Sequence, residues 1–121
     1  MSTVEDAGVI DGGGLRPDDG RLVLRIYDHL PWSDPEGHFE VLRRKLEGYA
    51  DFVTSGQARE SFPQASAGRP VVSIVFADAP PESAVELLGH VALRLAEGEI
   101  ALEYTVRDGA DPATVYSFDG T

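Results

Sequence analysis

The stretch PVVSIVFADAPPESAVELLGHVALRLAEGEIALEYTVR, residues 70–107, decides the fold. Its opening PVVSIVFA (70–77) is apolar on both faces of a pleat apart from Ser73, the pattern of a central strand covered on at least one side. APPES then starts a helix: Ser83 and Glu86 have the spacing of a capping box, and Val85, Leu88, Val91, Ala92 and Leu95 form one apolar stripe ending at Gly98. IALEYTVR (100–107) alternates, with Ile100, Leu102, Tyr104 and Val106 on one side and Ala101, Glu103, Thr105 and Arg107 on the other. A strand, a one-striped helix and a second strand make a β-α-β unit, whose helix needs a sheet to lie on.

Upstream the same logic repeats. VIDGGGLR (9–16) and RLVLRIYDH (21–29) flank PDDG, where Pro17 presets one turn angle and Gly20 suits the left-handed conformation, so the two arms form a hairpin. Leu22, Leu24 and Ile26 alternate with Arg21, Val23, Arg25 and Tyr27, giving one face for a core and one for water or a partner. Gly12-Gly13-Gly14 implies a bulge or a close backbone approach. It is no phosphate loop, because neither a helix nor a Lys-Ser/Thr closure follows. A long helix is predicted over 34–55. Asp34 caps it, or Ser33 in a box with Glu36; Pro35 suits its first turn, Phe39, Leu42, Leu46, Tyr49 and Val53 make its buried stripe, and Gly56 stops it. QARESFPQASAG reads as a loop anchored by Phe62.

The order β-β-α-β-α-β predicts an α+β fold of two layers, a four-stranded mixed sheet with two helices on one face. The domain spans 9–107, between a flexible N-terminus (1–8) and a tail (108–121) in which Val115, Tyr116 and Phe118 suit docking as an extended segment. The other sheet face is expected to display Arg25, Tyr27, Ser73, Glu103, Thr105 and Arg107 together with Val23 and Val75, a surface of the kind on which partners dock.

Composition narrows the function classes. In 121 residues, 42% of them apolar, there is one core and no room for a second domain. Ten Lys+Arg against 21 Asp+Glu leave a net charge of -11, which repels nucleic acid and anionic membranes and attracts basic proteins. There is no Cys, hence no thiol chemistry, thiolate zinc site or disulfide. No signal peptide or membrane span is legible, which makes a cytoplasmic protein the expectation.

The chemically suggestive segment is IYDHLPWSDPEGHFE (26–40), with the only Trp and two of the three His. Asp28, His29, Asp34 and His38 are the residue types of a divalent-metal or acid/base site, and Asp34 and His38 share a helix face. Zinc needs three or four ligands, however, and no distant segment offers itself as the source of the remainder. The structural reading assigns Asp34 to the cap, His38 to the edge of the stripe, Asp28 to the strand end and Trp32 to a staple against Phe39. No Ser lies in a G-x-S-x-G elbow, and nothing selects one pair among the carboxylates, so no catalytic residue, metal or cofactor is assigned. His90 falls with Glu86 and Arg94 on the outer face of the second helix, while Arg43, Arg44 and Lys45 balance Glu40 and Glu47.

Asp28-His29-Leu30, Trp32, His38, Leu42, Lys45, Tyr49 and Ser55-Gly56-Gln57 together resemble a family of small bacterial proteins known only as a domain of unknown function, over roughly residues 9–107. The resemblance implies a single compact cytoplasmic domain and carries no activity. Gly37 and Gly48 depart from the usual composition of this helix and soften it, by about 1 kcal/mol each relative to Ala.

The sequence therefore reads as a small non-enzymatic, acidic interaction module that binds another protein, an inhibitor or immunity-like protein for a basic partner being one concrete version. Its candidate binding residues are Arg25, Tyr27, Asp28, His29, Trp32, His38 and Arg107. The alternative is a small metal-dependent hydrolase at the 28–38 corner. Homodimerisation through the last strand or the open sheet face is a third expectation.

Overall fold

Three parallel strands form the centre of the sheet, as the two crossover helices require. The computed structural model describes residues 12–65, 68–107 and 115–118. Its elements are β1 (Gly12–Leu15), β2 (Leu22–Asp28), α1 (Pro35–Thr54), α2 (Gln57–Ser61), β3 (Val71–Phe76), α3 (Glu82–Glu97), β4 (Ala101–Val106) and β5 (Tyr116–Ser117). The expected flexible N-terminus, residues 9–11 of the first strand and most of the tail lie outside the described residues.

The strands lie in sequence order, β1-β2-β3-β4-β5, with β2, β3 and β4 parallel and both outer strands antiparallel. The expected four-stranded sheet is corrected to five. Tyr116 pairs with Tyr104 in the ladder and stacks on its ring at 4.7 Å, while the Phe118 amide donates to the carbonyl of Leu102 at 3.0 Å. A two-residue strand has too little alternation to be read as one from sequence, but Tyr116 and Phe118 of the expected apolar patch do dock as an extended segment, both rings stacking on Tyr104. A single helical turn, α2, also appears where a loop is expected, entered through Gly56 in the left-handed conformation (φ 90°).

Leu22, Leu24 and Ile26 of β2, Val72, Ile74 and Phe76 of β3, and Leu102, Tyr104 and Val106 of β4 face one core with Leu42, Leu46 and Tyr49 of α1 and Leu88, Ala92 and Leu95 of α3. Both helices thus cover the same face. The Tyr49 hydroxyl donates to the carbonyl of Arg25, tying the middle of α1 to the middle of β2. Asp34 caps α1 as expected, its carboxylate accepting from the Gly37 amide at 3.3 Å. Ser83 does not cap α3. The helix starts directly after Pro81, whose extended backbone (φ -68°, ψ 161°) takes the capping position, so Ser83 is already inside the first turn. Val85 and Val91 are accordingly half-buried, and Ala84 joins Leu88, Ala92 and Leu95 inside. Lys45 is corrected too: it belongs to the buried side of α1, fully covered, with its ammonium 5.7 Å from the Tyr49 ring.

Gly13 is a place of close approach. A Cβ there would stand 2.8 Å from the Phe62 ring and 3.2 Å from Leu24, so the bare strand admits Phe62 from the end of α2. No helix among the described residues is long and apolar enough to cross a membrane.

Candidate functional site

β2 ends at Asp28 on the same edge of the sheet as the last residues of β3 and β4, and the chain turns there through Leu30 and Pro31 into α1. The Asp28 Oδ1 accepts from the Leu30 amide at 3.1 Å, which fixes the turn. One helical turn into α1, His38 points back at the strand: its Nε2 lies 2.8 Å from Oδ1 and 2.6 Å from Oδ2 of Asp28. The other ring nitrogen, Nδ1, stands 3.0 Å from the carbonyl of Pro31.

A carbonyl oxygen only accepts, so Nδ1 is assigned as the donor to Pro31, which turns Nε2 to the carboxyl group of Asp28. Burial is the main influence on Asp28 and pushes its carboxyl above the ordinary range, while the hydrogen bond and charge of His38 pull the other way. Trp32 closes the corner. Its indole stacks on the His38 ring with centroids 3.6 Å apart and planes 22° from parallel, leans on Phe76 at 5.8 Å in place of the expected Phe39, and donates from Nε1 to the carbonyl of Asp78 at 3.2 Å.

Of the candidates Asp28, His29 and His38, the first and the last therefore meet, while His29 is exposed. Asp34 holds the cap, as the structural reading has it, and does not join His38. Among the described residues no group of three or more His, Asp or Glu is placed to hold a metal ion. The Leu30 amide and the carbonyls of Pro31 and Asp78 complete the corner, and backbone groups of this kind leave no mark in a sequence.

The remaining candidates lie on the sheet face away from the helices. Arg25, Ser73 and Glu103 form one row across β2, β3 and β4, and Tyr27, Val75 and Thr105 form the next. Arg25, Tyr27 and Arg107 are exposed, Tyr27 to 46%. Val23 and Ser73, expected on display, are buried; Val23 lies with Val71 and Ala101 in a second, smaller apolar cluster. Arg16, from the β1–β2 turn, reaches Glu103 at 2.7 Å, and that hydrogen bond raises the guanidinium above its ordinary value. On the outer face of α1, Arg43 pairs with both Glu40 and Glu47, and Arg44 lies 3.5 Å from Glu40, as the spacing implies.

No curated protein and no solved structure matches this chain. A family model does, over residues 1–108, and the chain belongs to that family, a family of unknown function (DUF6572).

Proposed function

We propose that the chain is a non-enzymatic interaction module that docks a partner protein on the open sheet face, around Tyr27 and Arg25. The observation that carries this reading is the exposure of Tyr27. A large aromatic, 46% exposed next to the last residue of a strand whose other face is packed in the core, stands beside the exposed Arg25 and next to the bare backbone of Gly12. Tyr and Arg are the side chains that most often anchor protein interfaces, and strand-borne anchors are already rigid.

Charge supplies the long-range part. The helical layer exposes Glu36, Glu47, Asp51, Glu82, Glu86 and Glu97, and the whole chain carries -11, so a basic protein is drawn towards it before any contact forms. Arg25 and Arg107 then select acceptor groups on that protein at close range. An inhibitor or immunity-like role is the concrete version of this reading. The hydrolase alternative has less support, because Asp28 and His38 already satisfy each other beneath Trp32 and leave no base directed at a substrate.

Pull-downs from native lysate with the wild type, Tyr27→Ala and Arg25→Glu, at low and high salt, test the proposal. A partner held by the wild type, lost with Tyr27→Ala and weakened by salt is the expected result. A partner retained equally by both variants, or none at either salt, rejects it.

A further inference from the structure

At the end of the sheet opposite the Asp28–His38 corner, a cavity of about 500 Å³ opens between the start of β2, the last turn of α1, α2 and the turns before β3 and β4. We propose that it binds a small amphipathic monocarboxylate, with the apolar chain against Leu22, Val53, Ala58 and Phe62 and the carboxylate held by Arg59 and Arg69.

Size, lining and charge support this together. The volume falls within the range of small-molecule sites, roughly 300–1,000 Å³. Leu22 and Ala58 are already buried and form the apolar floor, while Val53 and Phe62 are half-buried, so an apolar chain laid against those two removes further surface from water. Arg59 and Arg69 are exposed at the same cavity, and among the described residues neither guanidinium has an ion-pair partner, in a chain with 21 acidic and 10 basic residues. Arg69 is further fixed at its backbone, where its carbonyl accepts from Nε of Arg21 at 2.7 Å. Planar guanidiniums match carboxylate geometry.

Glu99 sets the charge that fits. It lines the same cavity and is the one described non-glycine residue in the left-handed conformation, φ 62°. The two guanidiniums among the lining residues favour an anion, and the Glu99 carboxylate beside them disfavours a second negative charge on it, as a dianionic phosphate would bring.

The test titrates the isotope-labelled full chain with hexanoate, hexanol and inorganic phosphate, following the amide signals of Ala58, Phe62 and Gly98. Saturable shifts with hexanoate in the millimolar range are expected, with binding about fivefold weaker for hexanol and for each of Arg59→Ala and Arg69→Ala. Glu99→Gln should tighten hexanoate and let phosphate compete. Absence of saturable shifts up to about 10 mM hexanoate overturns the proposal. So does binding that is equal for hexanol or phosphate, or unchanged when both arginines are removed. None of these outcomes bears on Tyr27, so this site and the sheet-face reading stand or fall separately.

Discussion

His38 and Asp28 are joined at 2.6 Å with side chains 2% and 0% exposed, so the end of β2 and the first turns of α1 are held by a contact that water does not reach. Removing one partner strands the other in the interior, which costs about 3–5 kcal/mol where a buried pair is broken. Asp28→Ala and His38→Ala should each destabilise by that order. Asp28→Asn should cost far less: its amide donates to Nε2, its carbonyl keeps the Leu30 amide, and Nδ1 still donates to Pro31. Urea unfolding of the three variants checks the order. An Asn variant as damaged as the Ala variant would mean that charge, not hydrogen bonding, holds the corner.

The same comparison isolates a pH effect. Burial raises the Asp28 carboxyl above its reference of 3.8, so the folded protein holds this proton more tightly than the unfolded chain. Its contribution to stability is fully present below 3.8 and is lost as pH rises through the raised value in the folded state. The wild type should therefore lose stability relative to Asp28→Asn as pH climbs from the carboxylate range towards neutrality, the other carboxylates cancelling in the difference. Unfolding free energies of both proteins across that range provide the measurement, and a flat difference would refute the assignment.

Much of this architecture is legible in the sequence, because period-2 and period-3.6 patterns report which faces are covered. Leu102 and Tyr104 on one side of β4, and Leu42, Leu46 and Tyr49 on α1, follow directly from spacing. The Asp28–His38 contact does not. Spacing pairs His38 with Asp34, four residues away, whereas its partner lies ten residues back, and only the direction of the turn at Leu30 and Pro31 brings them together. Lys45 is a different kind of miss: it stands three residues after Leu42 and four before Tyr49, squarely on the buried stripe, but a charged residue beside two arginines reads as surface. β5 is legible only in part: the apolar patch marks a segment able to dock, but its pairing with β4 rests on Tyr116 and Phe118 both stacking on Tyr104, which no sequence period reports.

Gly37 tests whether a helix glycine has a packing reason. A Cβ at this position would lie 2.4 Å from Oδ2 of Asp34, so Gly37→Ala displaces the capping carboxylate. The gain in helix propensity, about 1 kcal/mol, is then offset by loss of a cap of about the same size. Gly37→Ala should leave stability nearly unchanged in the wild type. In an Asp34→Ala background, where no cap remains to lose, it should stabilise by about 1 kcal/mol. Thermal unfolding of the four proteins gives the coupling; equal effects in both backgrounds would show that the carboxylate moves aside freely.

Gly13 makes the opposite case, since the neighbour in its way is a ring and not a flexible carboxylate. Gly13→Ala places a methyl group 2.8 Å from the Phe62 ring and 3.2 Å from Leu24, both packed on the core side of the sheet. A strand otherwise prefers Ala to Gly by about 0.5–1 kcal/mol, so the intrinsic effect is stabilising. Overpacking of about 1–3 kcal/mol outweighs it, and the variant should be less stable than the wild type. Phe62→Leu removes the obstructing edge. In that background Gly13→Ala should turn from destabilising to neutral or better, although Phe62→Leu itself lowers stability by loss of apolar burial. Equilibrium unfolding of the two single variants and the double variant measures the interaction, and strictly additive changes would mean that Phe62 does not depend on the missing side chain.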